Sequence, residues 1–426
     1  MASTWLIVSV LLALLLGWTL VSQWGQDRGI TGPMVFLGAG IVLSGFGDLS
    51  LPPEQARQLA ELTLVIVLFH DASTVRLASL RSDPWIAVRL LVIGFPLMLG
   101  LTTLATWWLL PAVGIAGAVL IAACVTPTDA GLGAATILDP AVPVRVRRAL
   151  NVESGLNDGL ATPVVLFAIA VIAEEQPENG QLPAVLDIGA LPVLGGLLIG
   201  LVLGLVGARL LDASYDRGLS SATTRSLAVL TLPVLALGLA LVTDTNGFLA
   251  AFITGITFGR ASQCMEVEES SQETVEVVAE LLGFIMWVVA GALVVEVLLD
   301  DFQWEWLALA VGALTVLRAA SVALSLLGTQ FRLPTVAFLS WFGPRGLASI
   351  VFALLAIEEL GADAALVSDV NGVVALTVLL SVILHGATSG PLARIYGRWA
   401  DRTGAPIEME PSVEPMPSRG RGMPRR

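Results

Sequence analysis

The chain has 426 residues, of which 56% are hydrophobic and 13% charged, with a mean hydropathy of +0.85 and a formal charge of -13. Globular domains carry about a quarter charged residues, so this composition excludes a soluble fold and describes an integral membrane protein embedded in lipid. The acidic balance offers no footing for a nucleic-acid partner, two cysteines, Cys124 and Cys264, build no disulfide framework, and all 22 basic residues are arginine.

In chain order, apolar runs able to cross roughly 30 Å of hydrocarbon, whole or as parts of a broken helix, fall near residues 4–24, 32–48, 59–75, 84–110, 112–138, 147–174, 183–212, 225–243, 246–260, 275–299, 304–328, 333–359 and 369–394. The first lacks the basic stretch and cleavage site of a signal peptide and reads as a retained helix. Arginines fall in alternate connections: Arg28; Arg76 and Arg81; Arg145, Arg147 and Arg148; Arg209, Arg217 and Arg225; Arg260; Arg332; and the C-terminal group. The intervening connections, such as "AEEQPENGQ" and "IEELGADAALVSD", are acidic, with Arg57 the one basic exception. The positive-inside rule then sets the N-terminus outside and the C-terminus in the cytoplasm, which requires an odd number of spans.

Six spans, a linking span and six more form the plan of an inverted repeat, whose site lies at the midplane on interrupted helices. The expected fold is an all-α polytopic membrane protein of about 13 transmembrane helices, with two inverted six-helix repeats and crossed broken helices. Residues 1–398 form the transmembrane domain: a first repeat at about 4–174, a linking helix at about 183–212 and a second repeat at about 225–396. Residues 399–426 form a cytoplasmic, disordered tail rich in proline and charge. The fifth and twelfth spans carry "VTPTDAGLG" and "WFGPRGLAS", each placing proline, glycine and a charge inside an apolar run. Proline removes a backbone donor and clashes with the preceding turn, so both helices should break there.

Residues 151–160 read "NVESGLNDGL". Charge at that depth costs roughly 2.5–3.5 kcal/mol per residue on insertion scales, and intramembrane ionisable residues mark ion or proton paths. On a helix, Glu153 stacks with Asn157 and Ser154 with Asp158, so the four polar groups share one face. Gly155 and Gly159 allow a neighbouring helix to approach.

"TPTDA" followed by "ESGLNDGLATPVV" resembles the monovalent cation:proton antiporters, in the NhaP-like branch that includes the sodium–proton exchangers. The resemblance spans about residues 4–396. It implies that Asp158 carries the transported ion, with Ser154 and Thr128 as further ligands and Asp129 at the helix crossing. It also implies that Glu153 and Asn157 are held by an arginine of the second half. Arg318, mid-span in "LTVLRAASV", is the favoured partner of Glu153; Arg345 in "GPRG" would hold charge at the second break. Relatives form homodimers, so a homodimer is expected here, and no cofactor is expected.

Two departures stand out. Relatives often read threonine-aspartate-proline where this chain has Thr128, Asp129 and Ala130, with proline displaced to Pro127. An acid expected in the third span is replaced by "LFHDAS", so either His70 has taken its place or Asp71 has shifted into its task.

Asp158 would bind either a monovalent cation or a proton at the same oxygens, and the loaded site would change sides. Electrogenic relatives resemble a paired-aspartate arrangement with a lysine; Asn157 stands in for the first aspartate here and the chain has no lysine, so electroneutral one-for-one exchange is expected. Sodium, with lithium, is the expected cation and potassium the alternative. A passive channel is the reading of another class, but no repeated filter sequence is present. His70, His385 and the cysteines make no convincing metal set, so an enzyme is not expected. The acidic connection at 261–274 reads as a solvated helix end.

Overall fold

The computed structural model describes residues 2–26, 28–45, 53–74, 84–137, 139–173, 189–263, 269–300, 302–361 and 364–404. Arg76, Arg81, the connection at 174–188, Cys264 with residues 265–268 of the acidic connection, and the tail beyond Gly404 lie outside them. Among the described residues every regular element is helical. Helices α1 (Ala2–Gln26), α2 (Gly32–Ser44) and α3 (Pro53–Thr74) lead to α4 (Pro84–Arg89), a π-helical turn (Leu90–Gly94) and α5 (Phe95–Leu109). After them come α6 (Gly114–Val125), α7 (Ala130–Ile137), α8 (Val144–Ala173), α9 (Leu191–Asp216), α10 (Ala222–Val242) and α11 (Gly247–Ala261). The chain continues through α12 (Glu269–Asp300), α13 (Trp304–Leu314), α14 (Val316–Ser325), α15 (Leu333–Trp341), α16 (Leu347–Leu360) and α17 (Ala365–Thr403).

Helix occupies part of each of the thirteen expected ranges. Nine stretches among the described residues are long and apolar enough to cross a membrane, and α2 and α11 are shorter apolar helices. Both expected breaks occur, between α6 and α7 and between α15 and α16.

Three features differ from the sequence expectation. The span at 304–328 is interrupted at Thr315, whose backbone leaves the helical region (φ -121°, ψ -87°) while its hydroxyl bonds to the Val311 carbonyl at 2.5 Å. A threonine that bonds back to the preceding turn competes with the helix ladder. The span at 84–110 widens into the π turn just before Pro96, which has no N–H for the turn behind it. Residues 399–403, expected to belong to the tail, continue α17: Trp399 stacks on Tyr396 (centroids 5.5 Å apart), Ala400 is buried, and Gly404 closes the helix in the left-handed conformation (φ 54°).

Packing sorts helices α2–α17 into two sets. The first comprises α2, α3, α9, α10, α11 and α12; the second comprises α4–α8 and α13–α17. The first set is seamed by glycine. A Cβ on Gly40 of α2 or Gly291 of α12 would overlap the backbone of the facing helix, and Gly255 and Gly259 of α11 lie in the same way against Phe69 and Ser73 of α3. In lipid, where burial of apolar surface gives helices little reason to associate, such close approach supplies the packing energy. The sets meet where α3, α11 and α12 lie against α8, α16 and α17.

Candidate functional site

Breaking two apolar helices leaves four helix ends deep in the protein, each with unsatisfied backbone groups and a partial charge. Two side chains attend to all four. The Asp129 carboxylate accepts from the Leu132 N–H at 2.7 Å, in the first turn of α7, and from the Leu347 N–H at 3.0 Å, the first residue of α16. One negative charge therefore serves both N-termini. The Arg345 guanidinium, fully buried, donates Nε to the Val125 carbonyl (2.5 Å) at the end of α6 and Nη1 to the Gly343 carbonyl just past α15. One positive charge serves both C-terminal ends. The two breaks also share a backbone bond, Asp129 N–H to the Pro344 carbonyl at 2.7 Å. Gly346 is required here, since a Cβ would overlap the Asp129 carboxylate.

The ladder of α8 carries the polar face of "NVESGLNDGL" to this crossing. Glu153, Ser154, Asn157 and Asp158 are all buried. Thr128, in the first break, bridges to α8: its hydroxyl lies 2.9 Å from the Ser154 hydroxyl and accepts from Asn157 Nδ2 at 2.6 Å. Two oxygens, Asp158 Oδ1 and Asn157 Oδ1, are buried with no hydrogen-bond partner among the described residues. Leaving a buried acceptor unsatisfied costs about 1–3 kcal/mol. Buried carboxylate, amide and hydroxyl oxygens are the donor types a hard monovalent cation takes up, and a carboxylate alone can take a proton instead.

Arg318 pairs with Glu153 through two parallel bonds, Nη1 to Oε1 and Nη2 to Oε2 at 2.9 Å, and both side chains are 5% exposed. Such a fork fixes geometry as well as charge. The interruption at Thr315 starts α14 at Val316, just two residues before Arg318. Arg345 does not contact Glu153 directly. The expectation that one arginine holds both Glu153 and Asn157 is corrected: the Asn157 amide goes to Thr128, leaving Arg318 to Glu153. Gly343 makes room for this pair, because a Cβ there would sit 2.6 Å from Arg318 Nε.

Of the accessory residues, His70 is buried on α3 and Asp71 is half-buried beside it. Helix α3, which carries both residues, packs against α8 and α16. Sequence reasoning missed Ser381 and His385 of α17. Ser381 Oγ accepts from the Arg345 N–H at 2.6 Å, and the His385 ring nitrogens lie 3.0 and 2.9 Å from the carbonyls of Ser381 and Trp341. They hold the second break against α17. Their spacing of four in an otherwise apolar run was the available signal.

The signature of the family described as sodium/hydrogen exchanger, transmembrane, matches residues 9–395. The chain belongs to that family. A sodium/proton antiporter of Schizosaccharomyces pombe is 24% identical over 305 residues, covering 65% of this chain and 64% of the relative. A potassium/proton antiporter, NhaP2, of a Shewanella species is 26% identical over 405 residues, covering 94% of this chain and 67% of the relative. The chain thus spans about two thirds of the length of these curated relatives. The solved structure of the sodium proton antiporter MjNhaP1 from Methanocaldococcus jannaschii at pH 8 superposes with a TM-score of 0.71 at 21% identity, over 92% of this chain and 98% of that one. This exchanger-family chain therefore has the antiporter fold and is a multi-pass integral membrane protein.

Proposed function

We propose that this chain exchanges a monovalent cation for a proton across the membrane, with Asp158 binding one or the other. The observation that carries the reading is the pair of buried oxygens without a partner among the described residues, Asp158 Oδ1 and Asn157 Oδ1, on the helix whose Ser154 and Asn157 meet the Thr128 hydroxyl. Cation and proton compete for the Asp158 carboxylate, so binding one releases the other. With either bound the site is neutral and can change sides. Empty, it carries a bare carboxylate that resists being drawn through the dehydrated interface.

Glu153 and Arg318 organise α8, Asn157 orients Thr128, and Asp129 and Arg345 compensate the helix ends; none of these need leave its partner during the cycle. One cation for one proton moves no net charge, so the membrane potential, worth roughly 2.3 kcal/mol per charge per 100 mV, would neither drive nor resist exchange. Sodium is the first reading of the cation. Potassium is the second, favoured by the potassium/proton antiporter that matches 94% of the chain. The thirteen crossings in two inverted repeats, the cytoplasmic C-terminus, a prokaryotic plasma membrane and a homodimer belong to the same proposal, and the tail should be dispensable for exchange.

The test is proton flux in proteoliposomes containing an internal pH dye, with the potential clamped and sodium, lithium and potassium added in turn. Cation-triggered proton movement in the wild type, absent in a folded Asp158→Asn protein, supports exchange at this site. A folded wild type with no cation-coupled flux sinks it.

A further inference from the structure

At the acidic face, away from the exchange site, one guanidinium ties the two helix sets together. Arg57, near the start of α3, donates Nε to Glu61 Oε1 at 2.7 Å and Nη1 to Glu358 Oε1, with Glu359 Oε1 3.7 Å away. Glu358 and Glu359 end α16, whose other end, Leu347, is bonded to Asp129 at the crossing. The 14 residues of α16 form a rod about 21 Å long. Its inner end touches the site and its outer end touches Arg57. Because α3 and α16 belong to different packing sets, this network crosses the boundary along which the sets would have to move.

Its construction differs from the buried Arg318–Glu153 pair, whose members both belong to the second set. Arg57, Glu358 and Glu359 are 31%, 23% and 52% exposed, against 5% for each partner of the buried pair. Water can therefore solvate the groups when the contact parts. Glu61 lies on the same helix as Arg57, four residues on, so Arg57 keeps a carboxylate partner even when Glu358 and Glu359 leave. Glu358 Oε2 is buried without a partner among the described residues, so the pairing across the sets is incomplete as it stands. A contact with one retained arm and two releasable ones can be made and broken at low cost.

We infer that Arg57 is a reversible latch: its bonds to Glu358 and Glu359 hold the acidic face closed, and they part when the Asp158 site opens to that face. The inference rests on the exchange reading above, because only an alternating site needs the two sets to separate there.

The experiment uses the full chain with Arg57→Cys and Glu358→Cys in a Cys124→Ala, Cys264→Ser background, reconstituted in vesicles and joined by a short bis-methanethiosulfonate whose linkage a reductant cleaves. Cross-linking should bring exchange down to vesicle background, reduction should restore it, and each single-cysteine protein should be insensitive to the reagent. Unchanged exchange in fully cross-linked protein overturns the latch. A folded, reduced protein and a folded wild type that both lack cation-coupled flux overturn the exchange reading instead.

Should the double-cysteine protein not fold, Arg57→Gln gives an independent readout. Its apparent KM for cation added at the acidic face should fall by roughly 2–5-fold, the range set by losing a partly exposed ion pair, while the KM at the opposite face rises. Equal changes at both faces, or none, would count against the latch.

Discussion

The glycine seams of the first helix set and the charged crossing of the second hold helices together by opposite means. At the α3–α11 seam the backbones meet at Gly255 and Gly259, and almost any added atom would overlap a neighbour. At the crossing, four helix ends are held by directional bonds from one carboxylate and one guanidinium, Asp129 and Arg345. A seam of backbone contacts has one arrangement and loses its packing if it slides. The crossing, by contrast, leaves Asp158 Oδ1 and Asn157 Oδ1 uncommitted. The α3–α11 seam is thus fixed by backbone contact, while the crossing keeps two buried oxygens free to take a ligand.

The largest expected effect falls on the uncommitted oxygen. Asp158→Asn should remove all cation-coupled proton flux while leaving thermal stability near that of the wild type, since Asp158 Oδ1 makes no bond that would be lost. Next is the buried pair. Arg318→Gln strands the buried Glu153 in a site without another direct cationic partner, and breaking a buried pair by removing one partner costs about 3–5 kcal/mol. The thermal midpoint in detergent should fall steeply, and the double change Arg318→Gln with Glu153→Gln should recover most of it. A double variant no more stable than the single one would show that the loss comes from the missing pair itself and not from a stranded Glu153 charge.

Two glycine substitutions then separate the regions directly. Gly255→Ala places a Cβ 2.5 Å from the Phe69 carbonyl, and overpacking of this kind costs about 1–3 kcal/mol. It should lower thermal stability while the apparent KM for cation stays unchanged. Gly346→Ala pushes on the Asp129 carboxylate instead. Here the rate of exchange should drop more than the thermal midpoint does. The reverse pattern, with Gly255→Ala affecting KM and Gly346→Ala only stability, would break the comparison.

Much of the crossing was legible because lipid makes the relevant residues conspicuous. Proline, glycine and charge inside apolar runs announced both breaks, and the costly polar face of α8 announced Glu153, Ser154, Asn157 and Asp158. Arg318 was separable from Arg345 because it lies in a run without proline or glycine, so its side chain projects from helix rather than from a break. What stayed hidden depends on contacts between distant segments. That Asp129 caps two helices at once follows from the approach of residue 347, which no local pattern encodes. The diversion of the Asn157 amide to Thr128, and the support given by Ser381 and His385, have the same origin. The break at Thr315 was missed because threonine is ordinary in membrane helices, and only its backbone angles and its bond to Val311 reveal the interruption.

The smallest predicted effect concerns Thr128, and it tests whether the crossing binds the cation or merely shapes its pocket. The Thr128 hydroxyl accepts from Asn157 and meets Ser154, so Thr128→Val keeps the volume while removing one oxygen and stranding the Asn157 amide. The stranded donor alone would cost about 1–3 kcal/mol. Thr128→Ser keeps the oxygen and should leave exchange within about twofold of the wild type, well under the tenfold that 1.4 kcal/mol represents. If the hydroxyl is a ligand, Thr128→Val should raise the apparent KM for cation and change the order of preference among lithium, sodium and potassium, because fewer oxygens favour a different ion size. If it only orients Asn157, the KM should rise for all three ions by the same factor. Measuring the three ions side by side in one vesicle preparation distinguishes these outcomes, since a change in selectivity cannot come from a uniform loss of folded protein.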